Sequence, residues 1–161
     1  MSRLSAPTLL RLARPSEAAA LAEMSRTLIE AGLEWRYTAP RMAALIGAGD
    51  TTAVVASNAA RIDGFAVMQF GDETAHLVLL CVQPAQQRRG IGRRLSDWLQ
   101  RSAEVAGMAS IALELRADNP AALAFYARLG FIETGLAPGY YDGLVTARRM
   151  QRQLRVGTIP G

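Results

Sequence analysis

Residues Val82 to Gly92 read VQPAQQRRGIG, and this stretch decides the fold prediction. The apolar residues before Pro84 predict the end of a buried strand, a polar loop follows, and Gly90-Ile91-Gly92 begins a long predicted helix. The first amides of a helix lack intrahelical partners and lie at the positive end of its dipole, so they can bind anions. Nearby arginines add positive charge: Arg88, Arg89, Arg93 and Arg94. The stretch therefore predicts a site for a polyanionic small ligand, best suited to a pyrophosphate.

Two other glycine-rich phosphate motifs do not fit this stretch. A dinucleotide-binding GxGxxG motif would need a third glycine where Leu95 stands, and it would follow the first strand rather than the fourth. A Walker A loop needs a lysine, and all 18 basic residues of the chain are arginine. On spacing alone, a loop of solvated arginines without a ligand remains the alternative.

The composition of the 161 residues is that of one soluble globular domain, 50% hydrophobic and 20% charged. With one cysteine and one histidine, we expect no disulfide and no metal site. Cys81 suits a small buried core position, and His76 has no visible partner, so we assign it no role. No signal peptide or long apolar run is found, which predicts a cytoplasmic protein without a membrane partner. The sequence contains no stripe of interleaved basic and aromatic residues, so we predict no nucleic-acid partner.

Hydrophobic periodicity predicts an α/β (α+β) protein, a mixed sheet with helices on both faces and the element order βααβββαβαββ. The predicted strands are Thr8 to Leu12, Thr51 to Ala56, Ile62 to Phe70, Ala75 to Val82, Ser110 to Arg116, Phe131 to Leu136 and Leu144 to Met150. The predicted helices are one from the N-cap Ser16 to Gly32, one after Thr38, one over Ile91 to Ala106, and one from the N-cap Asn119 to Gly130.

Three of these elements carry more detailed predictions. The strand ending at Val82 is almost entirely apolar, which predicts burial on both faces. Ser110 to Arg116 alternates, which places Glu114 and Arg116 on the face opposite its leucines. The third helix has an apolar stripe made of Ile91, Leu95, Trp98, Leu99 and Val105.

Gln87 to Gly92, QRRGIG, resembles the acyl-CoA pyrophosphate loop, Q/R-x-x-G-x-G/A, of the GNAT N-acetyltransferase superfamily. Further along, Leu113 to Phe131, LELRADNPAALAFYARLGF, is similar to the second half of the same fold. The nearest branch is the ribosomal-protein alanine N-acetyltransferases, and the resemblance covers about residues 75–135. It implies a GNAT-type, mostly antiparallel sheet and a single acyltransferase domain over residues 1–161, with residues 155–161 frayed.

The resemblance also implies acetyl-CoA as the acetyl donor and assigns residues to it. In such enzymes the fourth strand splays from the fifth, and the pantetheine arm pairs with the open backbone of the fourth. The amides of the loop hold the pyrophosphate. The residues that would bind the cofactor are Leu80, Cys81, Val82, Gln87, Arg88, Arg89, Gly90, Ile91, Gly92, Arg93 and Asn119.

Two residues match catalytic positions of the family. Glu114 matches the general base of the alanine-acetylating branch, and Tyr126 matches the general acid that protonates the leaving thiolate. The N–H of Val82 would meet charge on the thioester oxygen. We expect partial burial to raise the pKa of Glu114 and so favour proton uptake. The alternatives without catalysis are an ion pair of Glu114 with Arg116, a core role for Tyr126, and simple helix capping by Asn119.

The acceptor site of this fold lies between the first two helices and the last two strands. In this chain, a rim of aromatic residues is predicted at that site, and Glu30, Glu34 and Asp142 could hold an ammonium group. The alternative is an ordinary loop with exposed aromatic residues. The family branch has more residues between its tyrosines and its last strand than Asp142-Gly143. The residues of the predicted rim are Trp35, Tyr37, Tyr140 and Tyr141.

These residues predict an N-acetyltransferase that acts by direct attack of an amine in a ternary complex. The acceptor can be a protein N-terminal α-amine or a small-molecule amine or amino acid. An alternative from a different functional class is a module that binds acyl-CoA but has no catalytic activity. The sequence leaves the acceptor and the oligomeric state open, with a homodimer among the options.

Overall fold

A computed structural model describes residues 7–59 and 61–154. Within them the predicted order of strands and α-helices is confirmed, with two added 3-10 turns at Pro15–Glu17 and Pro84–Gln86. The predicted frayed tail lies outside the described residues. The strands are β1 (Leu9–Leu12), β2 (Thr51–Asn58), β3 (Arg61–Phe70), β4 (Thr74–Val82), β5 (Ser110–Arg116), β6 (Ile132–Tyr141) and β7 (Val145–Gln153). The helices are α1 (Ala18–Leu28), α2 (Ala39–Gly47), α3 (Ile91–Val105) and α4 (Pro120–Arg128).

The strands form one sheet in the order β1-β2-β3-β4-β5-β7-β6. Every neighbouring pair is antiparallel except β4 and β5, which are parallel. This parallel pair is short: it joins Thr74 to Ser110, Ala75 to Ile111 and His76 to Ala112, and then the strands diverge. The separation that the family resemblance implies is therefore present, and it begins directly after His76.

Two apolar cores cover the two faces of the sheet. On one face, Leu95 and Leu99 of α3 are buried against β3 and β5. On the other face, Leu21 of α1 and Met42 of α2 pack with Phe65 of β3. Full burial of such a side chain stabilises the fold by roughly 1.5–3 kcal/mol. No helix among the described residues is long and apolar enough to cross a membrane.

The prediction that β4 is buried on both faces is wrong. Ala75, Leu77, Leu79 and Cys81 are buried, whereas the residues between them are only partly covered. Past His76 the strand has no neighbour on the β5 side, so part of its surface stays open. A bulge also interrupts its pairing with β3, between Leu77 and Leu79. Because of this bulge, Leu77 is buried on the α3 face of the sheet, whereas Leu79 is buried on the face that α1 and α2 cover.

The ends of the first and third helices differ from their predictions. Ser16 is not an N-cap: it lies within the 3-10 turn, where the Glu17 carboxylate accepts from the Arg14 amide at 2.8 Å. Helix α1 ends at Leu28, before Gly32. In α3, Val105 is 84% exposed because it lies two residues, about 200° of rotation, beyond the buried Ala103. Trp98, at 37% exposed, lies at the margin of the buried stripe.

Strand β6 is longer than predicted. It continues past Leu136, where the predicted strand ends, to Tyr141, so Pro138 and Gly139 lie within the strand. Its pairing with β7 is interrupted by two register shifts, one before Gly135 and one after Ala137. Because β6 is an edge strand, such bulges accommodate proline and glycine that a central strand would not.

A close approach of β3 to β4 at Gly64 gives a stability prediction. A Cβ atom on Gly64 would lie 2.8 Å from the Cys81 carbonyl oxygen. We therefore expect Gly64→Ala to lower the free energy of unfolding by about 1–3 kcal/mol. Chemical denaturation measures this change. Gly135→Ala is the control, because no atom lies within 4 Å of that position; equal stability of the two variants would contradict the prediction.

Candidate active site

The open edge of β4 presents backbone groups to the gap beside β5. The Gln83 amide donates to the Asp63 carbonyl at 2.8 Å, and bonded and non-bonded pairs alternate in an antiparallel ladder. The N–H and C=O groups of Leu80 and Val82 therefore point away from β3, into the gap. The Val82 carbonyl accepts from the side-chain amide of Gln87 at 3.3 Å. Of the three residues predicted to pair with a pantetheine arm, these two have the required backbone orientation.

Cys81 differs from its two neighbours, because its backbone faces β3 in this alternation. Its side chain is buried in the core on the α1 and α2 face. Burial raises the pKa of the thiol to about 12, so it stays protonated at neutral pH. The prediction of a small buried core residue is confirmed.

The loop before α3 exposes a run of backbone amides. Gly90 is the N-cap of α3 with φ +79°, and Arg88 also has a positive φ of 66°. The first helical hydrogen bond runs from the Arg94 amide to the Gly90 carbonyl at 3.0 Å. In the described part of the chain, the amides of residues 88–93 donate to no protein acceptor. Gly92 lies beside the Phe125 ring of α4, which a Cβ atom would approach to 3.2 Å.

Asn119 forms the helix cap that its sequence position predicts. Its side-chain oxygen accepts from the Ala122 amide at 3.1 Å, and Pro120 occupies the first position of α4. The capping role accounts for this oxygen. A role of Asn119 toward a cofactor stays a prediction.

Glu114 lies on β5, on the face that α1 and α2 cover, just beyond the point where β4 and β5 separate. Its Oε2 is hydrogen-bonded to His76 Nε2, and its Oε1 lies 3.8 Å from Arg149 Nε. The hydrogen bond from His76 lowers the pKa of Glu114, an effect that outweighs the opposing effect of burial. The expectation of a raised pKa is therefore wrong, because it considered burial without the partner.

The alternative in which Glu114 pairs with Arg116 is also wrong. Arg116 instead forms an ion pair with Asp118 at 3.0 Å and donates to the Ala31 carbonyl at 2.6 Å. The prediction that His76 has no partner fails as well. Sequence reasoning missed this contact because it depends on the register of β4 against β5, for which the sequence carries no local signal.

Tyr126 is buried in α4 between two aromatic rings. Its ring meets those of Phe125 and Phe131 in edge-to-face contacts, with centroids 5.0 and 5.5 Å apart. Burial raises the pKa of Tyr126 above its usual range, and the neighbouring Cys81 and Tyr141 raise it further. Tyr126 is thus a core aromatic residue that keeps its proton, beside the end of β4. Its role as general acid stays a prediction.

Three tyrosines lie close enough to Glu114 for its charge to affect them. Burial raises the pKa values of Tyr37, Tyr140 and Tyr141, and the charge of Glu114 contributes to the rise in all three. The Tyr140 and Tyr141 rings are in edge-to-face contact, with centroids 4.9 Å apart. The fourth predicted rim residue, Trp35, is in contact with α1, where the Arg26 guanidinium lies 5.4 Å from its ring centroid.

The turn between β6 and β7 is joined to the connection between α1 and α2. Asp142 accepts from the Glu34 amide at 2.8 Å and from the Arg36 guanidinium at 2.9 Å. These two contacts bring the two sides of the tyrosine cluster together. Both carboxylate oxygens of Asp142 thus accept from the protein itself.

Glu30 is buried and supports the same connection from inside. Its carboxylate accepts from Ser25 Oγ at 2.8 Å and from the amides of Arg36 and Tyr37 at 2.7 and 3.2 Å. Glu30 is only 7% exposed, so its carboxylate faces these three donors and not an incoming substrate ammonium. The suggestion that Glu30 holds an ammonium is wrong, and only the Glu34 side chain of that set remains exposed.

A family model described as an acetyltransferase (GNAT) domain matches residues 21–154. The chain belongs to the GNAT acetyltransferase family. The family resemblance inferred from the loop and from Leu113 to Phe131 is thereby confirmed. The open edge of β4, the amides before α3 and the Glu114 cluster are consequently features of a GNAT domain.

Related proteins agree with this assignment. The ribosomal protein bS18-alanine N-acetyltransferase of Salmonella typhimurium is 41% identical to this GNAT chain over 81 residues, 50% of the chain and 55% of the relative. The chain thus spans about half the length of the curated relatives it matches. The crystal structure of the ribosomal-protein-S18-alanine N-acetyltransferase from Escherichia coli superposes with a TM-score of 0.80 at 25% identity, covering 96% of this chain and 98% of that one. Ard1 from Thermoplasma volcanium gives 0.81 at 26% identity, covering 92% and 99%.

Proposed function

We propose that the protein is an acetyl-CoA-dependent N-acetyltransferase that acetylates a protein N-terminal α-amine by direct attack in a ternary complex. The observation that carries the proposal is the position of Glu114, an ionised carboxylate at the opening between β4 and β5 whose charge acts on three tyrosines. The bS18-alanine N-acetyltransferases that the chain resembles support the choice of acceptor.

The described residues fit acetyl-CoA at two places. The unpaired amides of residues 88–93 suit its pyrophosphate, and arginines of the same loop add charge. The outward backbone groups of Leu80 and Val82 suit the amides of its pantetheine arm. Bound acetyl-CoA supplies the acetyl group as a thioester. We expect the outward N–H of Val82 to donate to the thioester oxygen as negative charge develops there.

The chemistry of amines favours an α-amine over a lysine side chain as the acceptor. Deprotonating an α-amine of pKa about 7.8 costs about 1 kcal/mol at pH 7, against about 4.6 kcal/mol for lysine. As the new C–N bond forms, the nitrogen gives up a proton, which the carboxylate of Glu114 accepts directly or through water. We expect Tyr126 to donate its proton as the C–S bond breaks and the thiolate leaves.

Thiol release from acetyl-CoA tests the function. Peptides with free N-terminal alanine, the same peptides with a blocked N-terminus and a lysine side chain, and a panel of small amines are compared. We expect turnover with the free α-amines and little with the blocked peptides. Turnover with small amines alone would reject the protein N-terminus as acceptor. Binding of CoA without turnover by any acceptor would identify a silent acyl-CoA-binding module.

The contacts of Asp142 predict an effect on the acceptor. Asp142→Asn removes the charge that holds Arg36, and losing about 1 kcal/mol from this partly exposed pair should raise the acceptor KM roughly fivefold. The affinity for CoA should stay the same, since the pair lies on the acceptor side. Asp97→Asn, on the exposed surface of α3, is the matched control. An unchanged KM in Asp142→Asn would show that the contact does not shape the acceptor site.

A further inference from the structure

We propose that His76, the only histidine of the chain, is a positioning residue for acetyl transfer: its Nε2–H fixes Glu114 so that Oε1 faces the acceptor amine. The inference rests on the proposed function. It is carried by the hydrogen bond that joins the two side chains across the point where β4 and β5 separate.

The backbone of His76 is held on both sides. It pairs with Gln69 of β3 and with Ala112 of β5, and it is the last residue of β4 to have neighbours on both edges. Glu114, two residues beyond Ala112, has a neighbouring strand on one side only, where it pairs with Arg149. The backbone of His76 is therefore held at both edges, and the hydrogen bond from its ring ties the Glu114 carboxylate to this point of the sheet.

The direction of the hydrogen bond follows from the charge of Glu114. Its lowered pKa keeps the carboxylate ionised, and an ionised carboxylate can only accept, so Nε2 carries the proton. Oε1 accepts no hydrogen bond from the described residues, and Arg149 Nε at 3.8 Å is beyond hydrogen-bond reach. The charged or titratable groups facing Glu114 are His76, Arg149, Tyr37, Tyr140 and Tyr141.

Two amide substitutions test the geometry of this contact. Glutamine places its Nε2 as many bonds from Cα as the Nε2 of histidine, whereas asparagine is one carbon shorter and cannot reach Glu114. We expect His76→Asn to lower kcat about 10- to 100-fold, because a small displacement of a reacting group has effects of this size. His76→Gln should keep kcat within about fivefold of the original protein. The KM for acetyl-CoA should be the same in both variants.

The kinetic outcomes are decisive in either direction. A loss in His76→Asn that His76→Gln largely restores supports positioning through the Nε2 donor. Two variants with the original kcat, or two with equal losses, would overturn the proposal. Thermal unfolding of both variants checks that the sheet is intact. If either variant fails to fold, the spectroscopic measurement below tests the proposal instead.

A measurement without substrate separates this inference from the proposed function. Because the chain has one histidine, labelling histidine with ¹⁵N gives a single imidazole spectrum. We expect a downfield, slowly exchanging Nε2–H proton in the original protein, and an upfield shift with faster exchange in Glu114→Gln, because a neutral amide oxygen accepts a weaker hydrogen bond than a carboxylate. Glu104→Gln, the same change on the exposed surface of α3, should leave the signal as it is in the original protein. Absence of this proton in the original protein would overturn the inference even if acetyl transfer is found.

Discussion

Glu114→Gln is expected to lower kcat for acetyl transfer by roughly 10²- to 10⁴-fold, the range typical of losing a general base. The amide is nearly the same size as the carboxylate but cannot take the proton that the attacking nitrogen releases. The affinity for CoA should change little, because the loop of residues 88–93 lies before α3 and away from Glu114. Steady-state thiol release with an N-terminal peptide, together with calorimetric titration of CoA, measures both quantities.

The pH dependence of this variant provides a second readout. The His76 contact lowers the pKa of Glu114, so the carboxylate is ionised well below neutrality. The acidic limb of kcat/KM should therefore follow the acceptor α-amine, and activity should rise as the pH increases through about 7.8. Glu114→Gln should lower the plateau without moving this limb. Glu104→Gln is again the control, and an original rate in Glu114→Gln would exclude Glu114 as the base.

Gly90→Asp is expected to weaken CoA binding at least about 100-fold, because it places a negative charge among amides that are proposed to hold two phosphates. Gly90 begins α3 with φ +79°, and no atom lies within 4 Å of a Cβ atom built there. The space at this position is therefore available to a ligand. Calorimetric titration with CoA measures the loss.

Gly90→Asn separates the charge from the backbone effect. Asparagine has the shape of aspartate and tolerates a positive φ, but it carries no charge. We expect its affinity for CoA to stay within about tenfold of the original protein. If the two variants bind equally well, or if Gly90→Asp keeps the original affinity, the assignment of the phosphate loop is rejected.

Local sequence signals predicted much of the fold. The alternation of Ser110 to Arg116 gave the bounds of β5, and Asn119-Pro120 marked the start of α4. These signals succeed because periodicity and capping act over one or two turns of chain. The late end of β6 was missed because Pro138 and Gly139 ordinarily stop a strand, and only the edge position of β6 tolerates them.

The candidate site was predictable in its residue types but not in its contacts. Glu114 was found through a motif, yet its partner His76 is 38 residues away and meets it only through the parallel pairing of β4 and β5. The direction of the Glu114 pKa shift depends on that partner, so it too was out of reach. Glu30 was likewise misjudged, because two of its three donors, the amides of Arg36 and Tyr37, come from a connection without regular structure.

The divergence of β4 from β5 leaves an opening that connects the two faces of the sheet. The loop before α3 lies on one face of the sheet, and Glu114 with its tyrosines lies on the other face. Under the proposed function, acetyl-CoA and the acceptor amine approach from opposite faces of the sheet and meet in the opening. Neither reactant then blocks the entry of the other.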